Sequence, residues 1–551
     1  MFTCGLALAA LTACGGSPAP SPAAPGKLAA GAEQVNRIVE RYWDEHFPVE
    51  NALAPQLLAD SLSIERRYLA EILAVDRDAL DVRTKLTYDI FRRQREVAIE
   101  GFTYPGELLP IDPIDGMPHQ LAAYAAELAA RPSTKAADYE NWLKRIDDYV
   151  HWTRQAAINM REGMRRGYTS PRSLVERILP LLERLGADDS ANVFYGPIRS
   201  LPDGIQASDR DKLTREMSSA VSQRLLPANR ELHDFLQKEY LPRARITLAL
   251  SDLPLGSQWY AYRVRRATSS ALAPEEINRI GTAEVERLGP PAVREAAPAP
   301  GNGLLNAYRE LQTQVQAALP TAFAEIPTAE FEIRPADWLV RPVMALYYQR
   351  KGSSGSPPAV LYVNVGKGAR SAASIAAFLQ KAAPGEHLQS ALQQERADLP
   401  RFRRFGAEPG FTEGWGLYAV SLGETLGVYS DESAKLDAVS TQMSCAVALV
   451  VDTSLQAKGW TRAQAFDYLH AHLAIDDLDA QLLIDTYTAR PGDALACMMG
   501  ELRIRAIRAR AQQALGGRFD LRQFHTEILK DGAMPLDILD TKMKAWTDAG
   551  K

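Results

Sequence analysis

Residues 371–418 read SAASIAAFLQKAAPGEHLQSALQQERADLPRFRRFGAEPGFTEGWGLY, and the rest of the fold is read outward from them. Two segments with apolar residues at helical spacing meet at Ala383-Pro384-Gly385. Proline and glycine do not sit quietly inside a helix, so the first helix should end or kink at Ala383. The second should start at Pro384, where a missing N–H costs nothing. After a basic loop with Arg401, Arg403 and Arg404, a third helix should open near Glu413.

Upstream, the pattern is helical almost throughout from about Ala30. Val35, Ile38, Val39, Tyr42 and Trp43 recur at helical spacing, and residues 64–73 and 80–99 continue in that way. Residues 139–167 should form a long helix with Tyr149, Trp152, Ala156 and Met160 on one face. Ser170 and Pro171 then have the character of an N-cap and first helical residue. Residues 212–240 are helical again, whereas WYAYRVRR (259–266) alternates like a short strand or extended segment. The most strand-like region is 331–365, with FEIRP and then two strands joined by a Gly-Ser-Pro turn. Beyond Tyr418, residues 443–460 read as a buried helix, and another helix should start at Pro491. The expected fold is mainly α, with a small β-hairpin or sheet beside the central stretch.

The central stretch resembles the bacterial family known as domain of unknown function 885, whose members look like zincin-type metallopeptidases. The family pattern is H-E-A-x-P-G-H-H-L-Q followed by E-G-W-A-L-Y-A-E. Here the first part stands as residues 380–389, QKAAPGEHLQ, and the second as residues 413–420, EGWGLYAV. Residues 147–182 and 515–546 resemble the same family, so the likeness spans most of the chain. It implies a large zincin-like helical domain in which two histidines and a distant glutamate hold Zn²⁺ while another glutamate acts as general base. In this chain Gln380 and Glu386 stand at the histidine positions and Lys381 at the general base; only the third-ligand position, Glu413, is retained. Val420, Cys445, Ala448, Gln456, Asp493 and Cys497 also replace polar residues of the family pattern.

Gln is a weak zinc ligand and Lys repels a dication, so no metal and no cofactor is expected, although the family implies zinc. Residues six apart on a straight helix lie about 240° apart in azimuth, which explains why the pattern needs the Pro-Gly interruption. Without zinc, Glu386 and Glu413 would face each other as like charges, and Lys381 is placed to sit between them. The alternative is a rearranged or metal-free hydrolase in which His387, Glu413 and Tyr418 converge. His470, His472 and His525 read as surface or structural residues.

The chain of 551 residues is long enough for a large core, and 46% hydrophobic with 24% charged residues is ordinary for a globular protein. A net charge of -5 argues against nucleic acid as partner. No apolar run approaches the roughly 20 residues that span a bilayer. Leu11-Thr12-Ala13-Cys14 looks like a lipobox with Cys14 as the lipidated residue, so residues 1–14 read as a signal, 15–30 as a flexible tether and 31–548 as one domain. That domain would have a helical part over about 31–250 and a site-bearing part over about 251–548. The apolar run of residues 1–14 lacks a preceding Lys or Arg, so a natural start upstream of Met1 is expected. In an exported protein Cys445 and Cys497 could form a disulfide or remain two buried small residues. The reading is a non-catalytic, metallopeptidase-like lipoprotein of the bacterial envelope, anchored to the outer membrane. Its cleft takes a peptide or protein, and it meets the membrane only through the lipid.

Overall fold

Helical spacing of apolar side chains accounts for most of the architecture. The helix Ala136–Arg166 buries Tyr139, Trp142, Ile146, Tyr149, Ala156 and Met160 and stops at Gly167, whose φ of 81° is a left-handed cap. The computed structural model describes residues 25–46, 53–290, 302–336, 345–353, 358–365 and 374–550. Residues 1–14, read as a signal ending at Cys14, lie outside those residues. The first helix runs Pro25–Glu45, so the last residues assigned to the tether are helical.

The next boundaries refine the expectation. Pro171, not Ser170, occupies the N-cap of Arg172–Gly186. Ser170 is held by its backbone instead, donating its N–H to the Tyr240 hydroxyl at 2.7 Å while its carbonyl accepts from Arg245 N. WYAYRVRR is not a strand but lies in the helix Gly256–Thr268. Its alternation arises because two faces of the helix are buried. Trp259 and Tyr262 pack on Tyr104 at 5.8 and 5.3 Å between ring centroids, while Tyr260 points to Asp452. The helix expected at Pro491 begins at Leu495 after a turn.

Strands β1 (Phe331–Ala336), β2 (Leu346–Gln349) and β3 (Ala359–Asn364) form one sheet in the order β1-β3-β2. β2 and β3 are the expected antiparallel hairpin, with Leu346 opposite Val363. β1 adds a parallel partner to β3, Phe331 opposite Ala359. Leu346, Tyr348, Leu361 and Val363 share a core with Phe378 and Leu379, which sets the sheet against the central stretch.

The parts on either side of residue 250 share one core. The core under the sheet also contains Val35, Tyr42, Tyr68 and Phe91. Arg401 N donates to Glu40 Oε1 at 2.9 Å, and the buried Arg403 donates to Thr87 Oγ1 at 3.1 Å. Thus the first helices pack into the site-bearing body, and a separate core gathers Leu53, Leu121, Trp142, Val175 and Leu225. The helix Glu432–Ala457 is long and apolar enough to cross a membrane, which the sequence reading did not register. Two thirds of its most apolar window is buried, and it carries Asp452 at zero exposure, so it serves as a core helix.

Candidate functional site

Three helices bring the central residues together. Ser374 caps the helix Ile375–Lys381 by accepting from Ala377 N, and its hydroxyl donates to the Asp437 carboxylate. Asp437 also accepts from Ala376 N at 3.0 Å, tying this helix to Glu432–Ala457. The helix stops at Lys381, two residues before the expected break, and the next begins at Glu386 rather than Pro384. Gly385 makes this corner possible: a Cβ there would lie 2.0 Å from Gln380 O and 2.4 Å from Leu379 O. Trp415 Nε1 donates to Pro384 O at 2.9 Å and fastens the corner to the third helix.

That third helix is Pro409–Val420, so Glu413 lies within it rather than opening it. Its glycine face meets Leu495–Leu515. A Cβ on Gly414 would lie 2.4 Å from Gly500 Cα, and one on Gly500 only 1.9 Å from Gly410 O. The resulting close crossing fixes Glu413 relative to Gln380, whose carbonyl would be 3.0 Å from a Cβ on Gly416.

At this junction the Lys381 ammonium contacts Glu386 Oε1 and donates to Glu413 Oε2 at 3.2 Å. The expected ion cluster is therefore present. Side-chain exposure rises from 11% at Glu386 through 20% at Lys381 to 39% at Glu413, so the cluster opens to solvent on the Glu413 side. Burial alone would push the Lys381 amine down, but the two carboxylates outweigh it and hold it well above its ordinary value. Burial and the neighbouring Glu413 charge push the Glu386 carboxyl up, against the pull of Lys381. One cation faces two acids, and the more buried acid bears the excess.

The residues present do not fit zinc. An ammonium group stands between the two carboxylates, and Gln380 turns its amide to Cys497 Sγ at 3.7 Å. Among the described residues no three His, Cys, Asp or Glu side chains are grouped to hold an ion.

The other singled-out residues are engaged elsewhere. Both ring nitrogens of buried His387 are occupied, Nδ1 by the Tyr348 hydroxyl and Nε2 by Ala329 O, each at 3.0 Å. Burial pushes its imidazole down to about 4. Tyr418 donates to His525 Nε2 at 2.8 Å and accepts from Arg508 at 3.0 Å, while His525 Nδ1 donates to Ala322 O. His525, at zero exposure, is likewise pushed down to about 4 by burial. His387, Glu413 and Tyr418 therefore have three different sets of partners. His472 Nδ1 donates to Tyr468 O, and His470 faces Asp477 at 3.3 Å.

Cys445 and Cys497 are joined by a disulfide with a Cα–Cα distance of 6.0 Å. Gln456 is buried and uses its amide to accept from Leu250 N and donate to Tyr487 O. Asp493 pairs with Arg263 at 3.2 Å, and Val420 and Ala448 are core residues. Asp437, Arg508 and Tyr348 were not singled out from the sequence. Each reaches the site from a separate element, and no local motif marks them. A groove of about 380 Å³ lined by Gln34, Arg37, Ile38, Arg41, Glu71 and Ala74 lies on the first two helices rather than at the cluster.

These features define a large, mainly helical protein whose small sheet backs a buried lysine–carboxylate cluster. The chain belongs to the family described as bacterial protein of unknown function (DUF885), whose model matches residues 50–302 and 291–543. It is similar in structure to the "putative lipoprotein from Colwellia psychrerythraea", with 21% identity, a TM-score of 0.79, and coverage of 94% of this chain and 100% of that one. It is also similar to a "putative lipoprotein of unknown function from Shewanella oneidensis", with 14% identity, a TM-score of 0.64, and coverage of 93% and 99%. At these identities the likeness concerns the fold. Among curated proteins none matches the chain.

Proposed function

We propose that this protein is a non-catalytic, metallopeptidase-like binding protein of the bacterial envelope, in which an internal ion cluster stands where a zincin-type site would hold its metal. The observation that carries the reading is the Lys381 ammonium between Glu386 and Glu413. A cation built into the chain neutralises carboxylates that would otherwise call for a metal ion. The occupant is a peptide or protein that meets the cluster from its exposed Glu413 side. The lipobox around Cys14, together with the names of the two similar structures, supports a lipid anchor.

Metal content of the purified chain, paired with thermal melts in zinc and in chelator, tests the central claim. The expected result is no stoichiometric metal and no shift in melting, because a ligand of the native state must stabilise it. About one zinc per chain with a clear shift would overturn the proposal. Lipid labelling that disappears in Cys14→Ser would support the anchor, and labelling that persists would remove it.

A further inference from the structure

The same three side chains carry a chemical possibility that reaches past binding. Lys381 closes one helix and Glu386 opens the next, and their side chains meet across a corner that Gly385 and Trp415 hold shut. A primary amine is thus held against a carboxyl group, with a second carboxyl group in hydrogen-bond contact with the same nitrogen. Held reactants of this kind reach effective concentrations of about 10⁵–10⁸ M when correctly oriented.

We propose that Lys381 and Glu386 condense into an intramolecular isopeptide bond, with Glu413 as the proton carrier. Glu413 takes a proton from the Lys381 ammonium, and the freed amine attacks Glu386 Cδ. Glu413 hands that proton, and then a second one taken from the attacking nitrogen, to one Glu386 oxygen, and the tetrahedral centre collapses as that oxygen leaves as water. One N–C bond forms, one C–O bond breaks and one water leaves, so no oxidant, cofactor or other reactant is needed. The product is a neutral secondary amide whose remaining N–H faces Glu413.

The burial pattern favours this product. Removing ions from water is expensive, and attraction between them repays that cost only in good surroundings. Condensation removes charge from the two most buried members, Lys381 and Glu386, and leaves it on Glu413, which is the most exposed. The amide also cross-links two helices whose corner already brings them together. Its formation depends on the three side chains alone and consumes the ammonium on which the proposed function rests, so peptide mapping tests the bond while metal content tests that reading.

Peptide mapping of the full chain, unfolded and reduced before trypsin digestion, provides the test. A free Lys381 is cut, giving residues 371–381 and 382–396. An acylated Lys381 is not cut, giving residues 371–396 as one peptide lighter by one water, with fragmentation placing the loss between Lys381 and Glu386. The second pattern is expected in the wild type and the first in Glu413→Gln, with circular dichroism confirming that the variant is folded. Lys381→Arg should show no water loss within the peptide. Complete cutting at Lys381 in the wild type would overturn the bond. A bond that persists in Glu413→Gln would overturn the role given to Glu413.

Discussion

The two buried clusters on the helix Pro409–Val420 solve the problem of polar groups in opposite ways. Toward its start, Glu413 joins Lys381 and Glu386 in a cluster of like and unlike charges that opens to solvent on one side. Toward its end, Tyr418 joins His525 in a closed chain of neutral hydrogen bonds, with only Arg508 charged. The first arrangement depends on charge balance, and the second on every donor finding an acceptor. Residues of the first kind can bind or react; residues of the second kind hold the helix in place.

The largest effect is expected where the shared scaffold is broken. Gly500→Val places atoms inside the backbone of Gly410 and Gly414, where even a Cβ would lie 1.9 Å from a carbonyl oxygen. Overpacking of this order should cost at least about 3 kcal/mol and separate both clusters at once. Chemical denaturation would measure it; a variant with wild-type stability would mean that the crossing is looser than the backbone contact implies.

Lys381→Ala comes next and separates the clusters from each other. It leaves Glu386 and Glu413 facing each other without a cation, a loss of about 3 kcal/mol for a mostly buried partner. The sign with pH is diagnostic. A carboxyl raised in the folded state contributes stability below its unfolded value and loses it as pH rises through the folded one. Relative to wild type, the variant should therefore be weakest above neutrality and recover in acid. Equal destabilisation at both ends of the pH range would show that Lys381 acts by packing rather than charge.

The difference between the clusters also explains what could be read from the sequence. Lys381, Glu386 and Glu413 were legible as a charge problem because the family resemblance sets all three at positions of one metal site. The Pro-Gly corner and the β2–β3 hairpin were legible because turn chemistry is local. Arg508 and Asp437 were not, since each acts across more than sixty positions of chain. WYAYRVRR misled for a related reason: burial on two helix faces imitates the period of a strand.

The neutral histidines predict a sensitivity of opposite sign to that of Lys381→Ala. His387 and His525 are held neutral with values of about 4, well below the ordinary value near 6.5. Such groups contribute stability above the unfolded value and lose it as pH falls toward the folded one. Each should cost about 3 kcal/mol across that interval. His387→Gln, measured by melts from pH 7 to pH 4, should flatten the acid slope by about one histidine's share. An unchanged slope would mean that His387 is not what acid unfolds.

Arg508→Met should have the smallest effect and sharpens the contrast most. It removes a half-buried donor to Tyr418 but leaves the Tyr418–His525 hydrogen bond in place, a loss of about 1 kcal/mol at neutral pH. The Arg508 charge also helps to hold the His525 imidazole neutral. Without it His525 accepts a proton more readily, so its share of the acid slope should shrink. The variant should therefore be slightly weaker than wild type at pH 7 and lose less on going to pH 4. A neutral scaffold tolerates the loss of its one charge in this way; the lysine–carboxylate cluster does not. If Arg508→Met instead loses more stability in acid than wild type, the Tyr418–His525 chain depends on that charge after all, and the two clusters follow the same rule.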